Sequence, residues 1–99
     1  MFGLKSNGDS FDDATVQAVW EKGTVVPNRD KVFWRKDACG ALIFRTYHGN
    51  TNSEYGWEID HIYPKSKLGS SDLENLQPLQ WENNRHKGDK LEWDCKNRG

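Results

Sequence analysis

Between Trp57 and Asp89 the sequence sets a carboxylate beside an imidazole, Asp60-His61, with two carboxamides downstream at Asn75 and Asn84. Asn75 follows His61 by 14 positions, and Asn84 follows Asn75 by 9. These residue types suit hydrolysis of a phosphodiester, which needs an activated water, charge neutralisation on the phosphate and a stabilised leaving oxygen. An imidazole that is neutral near pH 7 is the side chain best matched to take a proton from water. A carboxylate and an amide oxygen are hard donors suited to Mg²⁺, which keeps several of its waters. Taken singly, none of the four carries that chemistry. An Asp-His pair is most simply a hydrogen-bonded pair, Asn75 a turn or capping residue, and Asn84 part of a solvated helix face. Arg85 and Lys87, read alone, are solubility charges. Their order within one short stretch is what gives the set weight.

That stretch, WEIDHIYPKSKLGSSDLENLQPLQWENNRHKGD at residues 57–89, resembles the HNH endonuclease family in three ordered pieces. They are D-H-I-x-P at Asp60-His61-Ile62-Tyr63-Pro64, N-L-Q-x-L at Asn75-Leu76-Gln77-Pro78-Leu79, and N-x-x-K at Asn84-Arg85-His86-Lys87. The likeness spans about a third of the chain. It implies an α+β fold: a single small domain with a ββα-metal (HNH/His-Me finger) core, preceded here by an N-terminal helix and a short β-hairpin. It also implies a metal-dependent endonuclease that hydrolyses phosphodiester bonds in DNA, with nicking as the outcome where one site cuts one strand. By resemblance His61 is the general base, Asp60 and Asn84 hold one divalent cation, and Asn75 fixes the loop that orients His61. Arg85 and Lys87 would contact the substrate backbone. A bacterial or phage setting is implied by the resemblance alone.

The chain departs from many relatives in two ways. Where they brace the core with zinc on two C-x-x-C pairs, the second pair's positions are Gln80 and Asn83. No structural zinc is therefore expected, and Trp57, Trp81 and Trp93 with Leu76, Leu79 and Leu91 are the candidate packing substitutes. The third catalytic letter is asparagine instead of histidine, an HNN variant that favours Mg²⁺ or Mn²⁺ over softer metals. Glu58, on the strand face of Asp60, reads as a ligand, a supporting group or a solvated residue. His86 could stand in for Asn84, but it lies two places on and projects elsewhere from a helix. His48 has no evident role.

The elements that must position this set follow from pattern. A helix is predicted from about Asp12 to Lys22, opened by Asp12–Asp13, closed by Gly23 as a left-handed cap, with Val16, Val19 and Trp20 inward. Thr24–Arg29 reads as a connector. Strands are predicted at Val32–Trp34 and Ala41–Phe44, a turn-rich loop over 48–56, and a strand from Trp57 to Ile62 ended by Pro64. A short strand near Leu76–Leu79, interrupted by Pro78, and a helix over Trp81–Lys87 stopped by Gly88 complete the core. On a regular strand Asp60 and His61 point to opposite faces, so a shared site requires the strand to bend or end there, as Pro64 nearby suggests.

Composition bounds the rest. Ninety-nine residues make one domain with a modest core, and five tryptophans add buried area. Residues 1–10 look mobile, leaving 11–99 as the folded unit. No stretch approaches the roughly 20 apolar residues of a membrane span. The N-terminus lacks a signal-peptide pattern, and the expectation is a cytoplasmic protein. Cys39 and Cys95 form no C-x-x-C pair, and two reduced, part-buried thiols are expected.

Net charge is −1, but residues 28–36 carry Arg29, Lys31, Arg35 and Lys36 against Asp30, a net +3. Residues 83–90 add Arg85, Lys87 and Lys90 against Asp89, a net +2. Such patches are ordinarily solvated surface and gain meaning only beside a site. The partner expected is nucleic acid, DNA first, with no membrane. A protein partner or dimerisation leaves no trace in the sequence. Two other readings stay open: an HNH-like nucleic-acid-binding module without catalysis, and an interaction domain whose tryptophans form a partner surface.

Overall fold

The computed structural model describes residues 10–99 and the backbone of Gly3–Leu4. The expected mobility of residues 1–10 falls mostly outside the described residues; Gly3–Leu4 (β1) pairs antiparallel with Ser10–Phe11 (β2). Asp12 then caps α1 (Asp13–Trp20), its Oδ1 accepting from the Thr15 N–H at 2.8 Å. The helix buries Val16, Val19 and Trp20 as the pattern predicts. It ends on Glu21, which stays in the right-handed region, and Gly23 is not the left-handed cap. A Cβ at Gly23 would meet the Arg35 Cβ at 3.0 Å, a tight approach that glycine relieves.

Thr24–Val25 (β3), Trp34–Lys36 (β4) and Leu42–Phe44 (β5) form an antiparallel sheet in that order. The connector thus contains a strand, and β4 starts two residues later than predicted. Asp30 is the reason. Its carbonyl accepts from the Phe33 and Trp34 N–H groups and its carboxylate from the Val32 N–H, folding 30–33 into turns despite their strand-like residues. Part of the cationic stretch is structural: Arg35 donates to the carbonyls of Lys31, Glu21 and Gly23, and the Arg29 guanidinium lies 4.7 Å from the Trp34 ring centre.

Trp57–His61 (β6) and Leu76–Gln80 (β7) make the second hairpin, and Trp81–Lys87 (α2) packs back on both, giving the expected α+β, ββα arrangement. Pro78 does not interrupt β7. Ile62 N–H donates to Asn75 O, which makes 62/75, 60/77 and 58/79 the hydrogen-bonded pairs; Pro78 faces Ile59 in a position whose N–H would point outward. Trp20 and Trp57, with ring centres 5.3 Å apart, join Val16, Val19, Ile43, Ile59 and Leu76 in the core between α1 and the hairpin.

The N-terminus of α2 is held by polar contacts. The Gln80 Oε1 accepts from the Glu82 and Asn83 N–H groups. Buried Asp37 receives the Gln80 N–H and Asn83 Nδ2 on one oxygen, and the Cys39 and Ala41 N–H groups on the other. Asn83 Oδ1 accepts from the Lys96 and Asn97 N–H groups, tying the C-terminal segment to α2. The brace expected from packing is carried only in part by the named residues: Trp57, Leu76 and Leu79 are fully buried, but Trp81 and Trp93 are half-buried and Leu91 is exposed.

Cys39 and Cys95 are joined by a disulfide across 56 positions, which corrects the expectation of two reduced thiols. The Asn83–Asn97 contacts bring the C-terminal segment against the 37–41 turn, and this proximity does not show in cysteine spacing. A bridge closing a loop of that size is worth about 2–4 kcal/mol. A thermal melt in reductant is expected to fall by several degrees, as should one of Cys95→Ser. An unchanged melt in both would leave the segment held by Asn83 alone.

Candidate active site

All four residues singled out from the sequence lie on the second hairpin and α2. Glu58 and Asp60, two apart on β6, share the face that α2 covers; Asn84 and Lys87 stand three apart on the facing side of the helix. The contacts stack along one seam. Asn84 Nδ2 donates to Glu58 Oε1 at 2.9 Å, and Lys87 Nζ lies 3.2 Å from Asp60 Oδ1. Asp60 Oδ2 also accepts from Gln77 Nε2, the residue opposite it on β7. The sequence thus brings Asp60 and Asn84 to one β6–α2 interface.

His61 is on the other face. The ladder continues unbroken to the His61–Leu76 pair and β6 ends at His61, so of the two expected arrangements the strand end is found and the bend is not. The ring packs toward Phe11, with centres 6.3 Å apart, and is only 2% exposed. Its Nε2 is 2.9 Å from the hydroxyl of exposed Ser71, across the β6–β7 loop. His61 closes the strand, so the two side chains flank the same strand end from opposite sides.

Asn75 spans the base of that loop. Its Oδ1 accepts from the Tyr63 N–H at 2.8 Å, and its Nδ2 donates to Tyr63 O at 3.0 Å and Ser70 O at 2.7 Å. These bonds fix the residues that follow His61, the geometry of a loop clamp.

The two cations separate. Arg85 keeps an exposed side chain (52%) and reaches Glu58 through Nε and Nη2; the hydrogen bond and the charge of Glu58 both push its pKa up. Lys87, expected to meet substrate, is instead 1% exposed, and its ammonium also donates to His61 O at 2.9 Å. Helix periodicity is the cause, because a position three beyond Asn84 returns to the buried face. Glu58, left open by the sequence, is buried as the partner of Asn84 and Arg85. Its alternation with Asp60 is the signal that could have placed it. Ser71 and Gln77 carry no comparable signal. His86 is exposed, and His48 packs against Trp57 with its pKa lowered by burial and then by Arg45.

The model of the HNH endonuclease family matches residues 38–90, more than half of the chain. The chain belongs to the HNH endonuclease family. No curated protein and no solved structure matches it. The matched span takes in β5, the second hairpin and α2, so the HNH region and the seam just described coincide. Membership implies a nuclease, acting on nucleic acid and in general with a divalent metal.

Among the described residues no three His, Cys, Asp or Glu side chains gather to cage an ion. No helix of the described residues is long and apolar enough to cross a membrane.

Proposed function

We propose that this HNH protein is a metal-dependent endonuclease that hydrolyses DNA phosphodiester bonds, nicking one strand per encounter. The observation that supports this reading is the seam between β6 and α2, to which Asp60, paired with Lys87, and Asn84, bonded to Glu58, both belong, with His61 closing the same strand. Asp60 and Asn84 would hold one Mg²⁺ or Mn²⁺, which when bound supplies charge neutralisation at the phosphate and the leaving oxygen. The phosphate would sit over the end of β6, where side chains from both strand faces reach it. A water in place of the Ser71 hydroxyl would give its proton to His61 Nε2 while its oxygen attacks phosphorus. The P–O bond to the leaving oxygen breaks, and that oxygen takes a proton from solvent. Asn75 acts as a positioning residue through the loop it clamps. Arg85, oriented by Glu58, would meet a non-bridging oxygen or a neighbouring phosphate.

The burial of His61, with its Nε2 engaged by Ser71, favours a second reading: a nucleic-acid-binding module that does not cleave. Residence in the cytoplasm remains the sequence-based expectation, whereas the Cys39–Cys95 bond favours an oxidising setting.

Supercoiled plasmid separates the two functional readings. Conversion to the open circle is expected in Mg²⁺ or Mn²⁺, with none in EDTA. Retention of salt-sensitive DNA binding without cleavage in any divalent metal would establish the binding module instead.

A further inference from the structure

His61 is shut away from the water it would have to activate, and Ser71 is what shuts it. The ring is 2% exposed and its Nε2 lies 2.9 Å from Ser71 Oγ, whereas Ser71 itself is exposed. The hydroxyl thus stands between that nitrogen and solvent. An imidazole nitrogen offers one lone pair or one proton, so it makes one hydrogen bond at a time. Ser71 and an attacking water compete for the same place.

The hydroxyl is not what positions the ring. His61 closes β6, and its pairing with Leu76 belongs to the backbone. Its carbonyl receives the Lys87 ammonium, and its ring packs toward Phe11. Nor does the loop depend on this contact. Asn75 Nδ2 donates to Ser70 O, Asn75 N–H to Asp72 O, and Asp72 N–H to Ser70 Oγ, so both neighbours of Ser71 are held without it. A serine side chain turns about a single bond between staggered positions, and an exposed one does so in picoseconds to nanoseconds. Turning the Ser71 hydroxyl out to solvent uncovers Nε2 while the backbone stays where it is.

We propose that Ser71 is a displaceable cap on His61, occupying the place of the attacking water until that water arrives with the substrate. This rests on the hydrolytic reading of His61 and adds to it a brake on the same base. The brake is weak, because one hydrogen bond between uncharged groups outweighs its replacement by water only about two- to tenfold. An aid that orients the ring would have the opposite sign: removing it would slow the reaction, whereas removing a cap speeds it.

The test compares the full chain with Ser71→Ala and Ser71→Thr. Diethyl pyrocarbonate acylates neutral imidazoles within its reach, and mass spectrometry reads each histidine separately. In EDTA and without nucleic acid, His61 should label slowly in the parent and several-fold faster in Ser71→Ala. Exposed His86 should label alike in all three proteins and serves as the reference. In Mg²⁺ or Mn²⁺, Ser71→Ala should nick supercoiled plasmid about two- to tenfold faster, the change lying in kcat and not in KM. Ser71→Thr, which restores the hydroxyl, should return labelling and nicking to the parental rates, and the three melting temperatures should coincide. Unchanged His61 labelling in Ser71→Ala overturns the cap. Faster labelling with slower nicking also overturns it and makes Ser71 an aid to the base. Faster labelling with no nicking by any of the three proteins would uphold the cap over Nε2 and remove the hydrolytic reading, so the two ideas fail separately.

Discussion

Replacing His61 with alanine should slow plasmid nicking by about 10²–10⁴-fold, the usual contribution of a general base. The ring is well placed for the loss to be chemical and not architectural. It closes β6, and the strand's last pairing, with Leu76, is made by backbone groups that alanine keeps. What disappears is the Nε2 that meets Ser71 and the ring contact with Phe11. A small drop in melting temperature is expected from the cavity, and His61→Asn, which fills more of it, should melt closer to the parent while cutting as slowly. Circular dichroism together with initial nicking rates tests both. Unchanged nicking by either variant at matched folding would remove His61 from the chemistry.

Helix α2, the two strands of the second hairpin and the core face of α1 could be read from the chain because each is local. Trp81–Lys87 combines helix formers with a stop at Gly88, and Val16, Val19 and Trp20 recur at helical spacing. Asp60 and Asn84 sit on those elements and Asn75 directly precedes β7, so their order along the chain was legible through the resemblance. What was hidden depends on partners distant along the chain. Asp37 gains its role only when Gln80 and Asn83, 43 and 46 positions on, arrive beside it. The disulfide follows from that same convergence. Lys87 was misdirected by its charge: a lysine ordinarily stays exposed, but helix periodicity turns this one to the buried face, where Asp60 and His61 O take its ammonium. The start of β4 was misread because side-chain type favours strand at Val32 and Phe33, while a single Asp30 carboxylate and carbonyl set the backbone.

Lys87→Met should be the most destabilising of the substitutions considered. The methionine fills similar space but leaves the buried Asp60 carboxylate without its ammonium and His61 O without a donor. Removing one partner of a buried ion pair costs about 3–5 kcal/mol, much of it the burden of the charge left behind. That origin gives the prediction two further branches. Asp60→Asn added to Lys87→Met should restore part of the melting temperature, because no uncompensated charge remains; simple additivity would lower it further. Mg²⁺ or Mn²⁺ should raise the melting temperature of Lys87→Met more than that of the parent. If Asp60 is a metal ligand, the cation can take up the neutralising role of the missing ammonium, and ligand binding to the folded state stabilises in proportion to RT ln(1 + [M]/Kd). The double variant, lacking the carboxylate, should not respond. Equal responses in all three proteins would place the divalent ion away from Asp60 and leave the Lys87 pair a purely structural feature of the seam.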